Sequence, residues 1–101
     1  MIRLIVTAND ELYNRLSHGS HESEDTFRRA INVLDGHRVA MTEPVSAIVV
    51  DLTVHAADTL VETLRSRPST SHIPLYVIES GKRLPFELRR LCTDVLESDA
   101  L

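Results

Sequence analysis

Cysteine, lysine and long apolar runs are all scarce in this chain, and each scarcity excludes a class of protein. Cys92 is the only cysteine, so an intramolecular disulfide is excluded and a reducing cytoplasm is the expected compartment. No apolar stretch approaches the ~18 residues of a membrane-spanning helix, and the N-terminus lacks a signal-peptide layout. We therefore expect a cytoplasmic protein with no membrane partner.

A strong charge of one sign is also lacking. The formal net charge is −4, and the arginines are spread along the chain without a dense basic run. Because sequence-independent binding of nucleic acid needs a strongly basic face, we do not expect nucleic acid as a direct ligand. Lys82 is the only lysine, which limits any site whose chemistry needs an ammonium group.

The chain is rich enough in apolar residues to form a core, since 43% of its 101 residues are hydrophobic. We expect residues 1–101 to form one domain. The most informative segment is 46–52, a β-branched apolar run that contains a single carboxylate, Asp51. Such a run predicts a strand buried on both faces of a parallel sheet. Chemistry in open α/β sheets gathers at the carboxyl ends of the strands, so Asp51 is the first candidate site residue.

Strand-like and helix-like segments alternate on both sides of this run. Residues 3–8 predict the first, central strand. Asn9 and Asp10 can cap a short helix that ends near Gly19, before a polar loop over 17–23. The later segments predict, in order, a helix over 58–67, a strand over 73–78, a polar loop over 79–83, a short helix over 85–91 and a strand over 94–97.

The segment between residues 24 and 45 allows three interpretations. In the first, the helical spacing of apolar residues from Phe27 to Leu34 predicts a helix over 24–35, with Gly36 as its C-terminal stop and a second strand over 37–42. The link to the next strand is then very short, whereas parallel strands need a crossover of a dozen or more residues.

In the second interpretation the strand lies around 27–33 and a stunted helix follows at 34–43. In the third, Glu43 and Pro44 turn an antiparallel hairpin. We favour a second helix that is missing or stunted.

The order of the segments resembles the receiver domain of bacterial response regulators. Residues 27–39 resemble the first helix running into the second strand, residues 47–52 the phosphoacceptor strand, and residues 73–78 the fourth strand with its proline. The resemblance implies a flavodoxin-like α/β fold: an open, mostly parallel sheet of about five strands with helices on both faces. The second and fifth helices are expected to be abbreviated.

The resemblance also implies a phosphoryl-transfer site around Asp51, with an acidic pair that holds a divalent cation. In this chain Thr7 and Ala8 occupy the positions of that pair, and Asp10 comes about two residues late. Asp10 and Asp51 alone would hold Mg²⁺ poorly, since this ion demands a nearly ideal set of oxygen ligands.

Two further parts of such a site are altered. The hydroxyl of the fourth strand is expected five residues after Pro74, where this chain has Glu79, so Ser80 is the candidate phosphoryl contact. Residues 96–99 contain no lysine where the fifth strand should supply one, and Lys82 lies in the loop after the fourth strand.

We therefore predict a pseudo-receiver, a non-enzymatic signalling or protein-interaction module of a two-component or related bacterial system. It would have no catalytic residue and no cofactor, and Asp51 would cap a turn or the next helix. One alternative keeps Asp51 as a genuine phosphoacceptor, with Mg²⁺ held by Asp10 and Asp51. Another follows from the similarity of residues 73–79 and 95–97 to the receiver-like N-terminal wing of PLP-dependent ornithine, lysine and arginine decarboxylases, which has a structural, oligomerising role.

Three smaller expectations complete the interpretation. His18 and His21 have a spacing that can bind metal, but a solvated polar loop is favoured. Cys92 on an apolar helix face predicts a core residue. The sequence leaves no residues for a fifth helix, so an apolar sheet face would stay uncovered, which predicts a homodimer or a fragment of a longer chain.

Overall fold

A computed structural model describes residues 2–18 and 26–98 of the chain, in which five strands and four helices alternate. The strands are β1 (Ile2–Val6), β2 (Thr26–Ala30), β3 (Val45–Asp51), β4 (Leu75–Glu79) and β5 (Asp94–Glu97). The helices are α1 (Asp10–His18), α2 (Val33–Thr42), α3 (Ala57–Ser66) and α4 (Phe86–Arg89). All strand pairs are parallel, in the order β2-β1-β3-β4-β5. The predicted open α/β sheet is confirmed.

Between β1 and β3, the second of the three interpretations is correct. The first interpretation, with a helix over 24–35 and a strand over 37–42, is wrong, because Phe27 and Ala30 lie on β2 and Leu34 is 81% exposed on α2. Asn32 separates the two elements, since its side chain accepts a hydrogen bond from the backbone N of Asp35 and caps α2. The ten residues of α2 match the length of the stunted helix predicted over 34–43.

Gly36 lies inside α2 and is not the C-terminal stop that the first interpretation predicted for a helix over 24–35. A Cβ atom at this position would lie 2.8 Å from Cγ2 of Val6 in β1 and 3.6 Å from Cδ2 of Leu60 in α3. The missing side chain therefore lets α2 lie close to the sheet.

Replacing Gly36 by alanine is expected to destabilise the protein by about 1–3 kcal/mol, as overpacking does. Alanine favours a helix by about 1 kcal/mol over glycine, but the stiff β-branched side chain of Val6 cannot easily yield. Urea denaturation would measure the change. In the Val6→Ala background the same substitution should cost less, and a stabilised Gly36→Ala protein would contradict the close approach.

The main core lies between the sheet and the helices α2, α3 and α4. It includes Leu4, Val6, Ile48, Val50, Leu75 and Val77 of the strands and Val39, Ala40, Leu60, Val61, Leu64 and Leu88 of the helices. Ile5, Ile78 and Leu12 of α1 are buried outside this cluster, on the opposite face of the sheet. The alternation along the strands thus gives the sheet two apolar faces.

The opposite face of the sheet is only partly covered. Val49, Tyr76 and Leu96 are half-buried there, although the described residues include no fifth helix. The large apolar side chains that are most exposed among the described residues lie elsewhere: Ile31, Leu34, Met41 and Phe86. None of the described helices has the length and apolar character needed to cross a membrane.

Candidate functional site

Asp51 is the last residue of β3, and both oxygens of its carboxylate accept hydrogen bonds. The residue is 2% exposed. Its Oδ2 accepts a hydrogen bond of 2.7 Å from Oγ1 of Thr7, and its Oδ1 accepts from the backbone N and the hydroxyl of Thr53 at 3.0 and 2.9 Å. Asp51 therefore caps the turn that follows β3 and ties that turn to β1.

Thr7 supplies a hydroxyl at a place where the resemblance expected a carboxylate. It is completely buried just after β1, and its Oγ1 donates to Asp51 while accepting from the backbone N of Asn9 at 3.0 Å. Its backbone N donates to the carbonyl of Ala30 at 2.9 Å. A neutral side chain thus joins β1, β3 and the start of α1.

Arg29 places a fixed positive charge at the same edge of the sheet. Its Nε donates to the carbonyl of Thr7 at 3.2 Å, and its guanidinium contacts Oδ1 of Asp10 at 2.7 Å. The guanidinium also lies 5.1 Å from the ring centre of Tyr13, a cation–π distance. A cation held here opposes the binding of a second, divalent cation, because like charges repel.

The predicted metal residues do not form a cluster. Asp10 is exposed and pairs with Arg29, whereas Asp51 is buried with Thr7 and Thr53. Residues 2–18 and 26–98 contain no group of three or more His, Cys, Asp or Glu side chains that could hold a metal ion. His21 lies outside the described residues, so the His18–His21 pair and most of the predicted polar loop stay untested.

Glu79, which replaces the expected hydroxyl, forms an ion pair and a hydrogen bond within the fold. It is 8% exposed at the end of β4. Its two carboxylate oxygens lie 2.8 and 2.9 Å from the guanidinium of Arg89 in α4, and Oε2 also accepts from the backbone N of Leu84 at 2.7 Å. This pair closes the loop between β4 and α4.

Ser80 and Lys82 lie on the solvent side of that loop. The hydroxyl of Ser80 donates to that of Ser98 at 3.1 Å, and both serines line a shallow polar hollow of about 330 Å³ together with Glu79, Lys82 and Glu97. The hollow lies at the ends of β4 and β5. Asp51 does not line it.

Cys92 is half-buried and packs against the core, but it lies beyond the end of α4 and not on the apolar helix face that the sequence predicted. Burial raises the pKa of its thiol above the ordinary value, and the positive charges of Arg65 and Arg89 partly oppose this shift. The thiol is therefore a poorer nucleophile near neutral pH than an exposed cysteine.

Alkylation of Cys92 by iodoacetamide should consequently be slow in the folded protein. Because the pKa is raised, the thiolate fraction at a given pH is smaller than in the unfolded chain, and the rate should rise at a higher pH. A pH series on folded and urea-unfolded protein, followed by mass, measures both profiles. A folded profile that rises at the same pH or a lower one would contradict the shift.

Sequence reasoning missed three partners in this region. Thr53 could have been found, because Asp51-Leu52-Thr53 has the Asp-x-Thr spacing of a side chain that caps its own turn. Arg29 and Arg89 carry no such local signal. Their roles depend on strands and helices that meet only in the folded chain.

Comparison with known proteins gives a likeness of fold. No family model and no curated protein matches the sequence. Among solved structures, a sensor protein from Polaromonas sp. JS666 is similar with a TM-score of 0.84 and 18% identity, over 97% of this chain and 83% of that one. A CheY-like response regulator receiver domain from Methylobacillus flagellatus is similar with a TM-score of 0.80 and 20% identity, over 97% and 86%.

The chemotaxis response regulator CheY4 of Vibrio cholerae has a TM-score of 0.80 and 14% identity, over 96% of this chain and 85% of that one. The chain is therefore an α/β protein with a flavodoxin-like parallel sheet. Its fold is that of response regulator receiver domains.

Proposed function

We propose that this chain is a receiver-like signalling domain that acts through protein contacts and not through phosphorylation of Asp51. The observation that supports this most is the state of the Asp51 carboxylate, which is buried and accepts three hydrogen bonds from Thr7 and Thr53. A nucleophilic oxygen must reach the phosphorus atom in line with the leaving group. Oδ1 accepts two of these bonds, and Oδ2 accepts one in a residue that is only 2% exposed, so neither oxygen is open to an approaching phosphoryl donor.

The charges around Asp51 support the same proposal. Phosphoryl transfer depends on positive charge that neutralises the phosphoryl oxygens and on a cation that bridges them. Thr7 and Ala8 replace the acidic pair, Arg29 already neutralises Asp10, and Glu79 adds a carboxylate where a hydroxyl is expected. We therefore propose that this domain works without a metal ion or a cofactor and has no enzymatic activity.

A domain of this kind keeps the receiver scaffold and uses its surface to bind a protein partner. We place it in the cytoplasm, in a two-component or related bacterial regulatory system, on the strength of the fold and the single cysteine. Since fold alone does not determine function, the test must address Asp51 directly.

A second candidate function is that of a genuine phosphoacceptor. One observation favours it: Asp51 ends the central strand β3 of the parallel sheet, where such folds carry their chemistry. In that case Asp10 and Asp51 would bind Mg²⁺ and Ser80 would contact the phosphoryl group after a rearrangement of the loop that follows β4.

Incubation with acetyl phosphate and Mg²⁺ separates the two functions. Intact mass and Phos-tag gel mobility should show no gain of a phosphoryl group in a sample whose circular dichroism confirms folding. A phosphorylatable receiver treated in parallel checks the reagent. A Mg²⁺-dependent gain of one phosphoryl group that is lost in Asp51→Asn would overturn the proposal and establish the phosphoacceptor.

A further inference from the structure

The solvent-facing side of α2 and the residue Ile31 just before it form an apolar surface. Leu34 is 81% exposed, and Ile31 and Met41 are also exposed. Leu34 lines three adjoining hollows: one of about 640 Å³ along α2 toward Met41, one of about 390 Å³ that includes Ile31, and one of about 340 Å³ against Leu60 of α3. We call the surface formed by Ile31, Leu34, Asp35, Arg38 and Met41 the α2 face. An apolar surface of this kind is a mark of an association site.

We propose that the α2 face binds the α2 face of a second copy of this chain, in an antiparallel pair of helices related by a two-fold axis. This inference deepens the proposed function, on which it rests, because it names a surface and a partner for a domain that acts by protein contacts.

The charges on the α2 face suit a second copy better than a partner whose surface charges are all of one sign. Asp35 and Arg38 form an ion pair of 2.7 Å on this surface, and both side chains are partly exposed. The α2 face therefore presents one carboxylate and one guanidinium. A strongly acidic or basic partner would meet a like charge, whereas a second copy related by a two-fold axis presents the same pair in exchanged order.

The spacing along α2 is also self-complementary. Leu34 and Met41 lie seven residues apart, roughly 10 Å along the helix, with Arg38 between them. A two-fold axis beside residues 37 and 38 would place Leu34 opposite Met41 of the second copy. The same axis would bring Arg38 within reach of Asp35 of the second copy.

The size of the α2 face predicts a weak dimer. A ten-residue helix is about 15 Å long, so two such faces bury less than the roughly 1,200 Å² of a stable interface. Association should therefore depend on concentration and be reversible.

Sedimentation velocity on the full chain tests this inference. Over roughly 1 µM to 1 mM we expect a monomer–dimer equilibrium. Leu34→Glu should raise the dissociation constant by at least about tenfold, as loss of a central apolar contact does. Phe86→Glu is the matched control, because Phe86 is 84% exposed on α4, away from the α2 face, and its replacement should leave the equilibrium unchanged. Circular dichroism melts would show that both variants fold.

Charge exchange gives a second, more specific arm. Asp35→Arg and Arg38→Asp should each weaken the homodimer, because each puts like charges on the two copies. A mixture of the two variants should form a heterodimer in which the attraction is restored. This recovery is hard to explain by a general loss of stability.

Three results would overturn the inference: a monomer at the highest concentration, a dimer that Leu34→Glu leaves intact, or a mixture that does not recover. None of these results would contradict the proposed function, because that function is tested separately, by treatment with acetyl phosphate. Phosphorylation of Asp51 would instead overturn the proposed function whatever the oligomeric state.

Discussion

Replacement of Asp51 by alanine is expected to lower the free energy of unfolding by roughly 3 kcal/mol, a large part of the stability of a small domain. The carboxylate accepts three hydrogen bonds in a buried setting. Its removal would leave the buried hydroxyl of Thr7 without an acceptor, whereas the backbone N of the exposed Thr53 could turn to water. A buried donor that loses its acceptor pays its desolvation penalty in full.

Asp51→Asn is the matched control. The amide oxygen can still accept from Thr53, and the amide NH2 can donate to the hydroxyl oxygen of Thr7, which then loses only its own acceptor, so the expected loss is about 1 kcal/mol. Urea denaturation followed by far-ultraviolet circular dichroism suits a chain without tryptophan. Equal stability of Asp51→Ala and the parent would mean that the carboxylate is not structural, which would remove the main support for a phosphorylation-independent domain.

Replacement of Glu79 by threonine, the kind of residue that a phosphorylatable receiver needs at this position, is expected to destabilise the fold by roughly 2–3 kcal/mol. The substitution would leave Arg89 and the backbone N of Leu84 without their acceptor. Loss of one partner from a buried pair is strongly destabilising, but the Arg89 side chain is 39% exposed, so water recovers part of that energy.

The controls for this prediction separate charge from shape. Glu79→Gln keeps an acceptor for Leu84 and should cost less than threonine. Because residues in contact couple, the double variant Glu79→Thr, Arg89→Ala should cost less than the sum of the two single changes. Chemical denaturation of the parent and the four variants tests this, and a Glu79→Thr protein as stable as the parent would show that the pair adds nothing to stability.

The predictions for Asp51 and Glu79 both concern side chains that stabilise the fold. The residues that occupy the receiver site positions are joined to the fold by hydrogen bonds and an ion pair. Under the proposed function, these contacts would have to break before Asp51 could take part in phosphoryl transfer.

Strong local patterns in the sequence determined most of the fold. The apolar run ending at Asp51, the amphipathic helix before Pro68 and the segment 94–97 each predict an element that the structure contains. These predictions succeed because a strand buried on both faces and a helix with one apolar face leave a periodicity in the sequence. The likeness to a receiver and the candidate Asp51 followed from the order of these elements.

Only the tertiary structure decided the course of residues 26–42. The apolar spacing from Phe27 to Leu34 fits one helical face, yet Phe27 belongs to a strand and Leu34 to the next helix. The helix α2 contains Gly36 and β-branched residues such as Val39, which are weak helix formers. Its packing against β1 and α3 stabilises it, and a local pattern cannot express that contribution.

The candidate site divides in the same way. The sequence by itself predicts that a carboxylate ends β3, and the resemblance to receivers implies that other residues stand at the positions of the acidic pair and the lysine. Only the tertiary structure decided that Thr7 donates to Asp51 from 44 residues away and that Arg29 pairs with Asp10. Hydrogen bonds and ion pairs between distant segments depend on which side chains the sheet brings together, and sequence spacing carries no record of those distances.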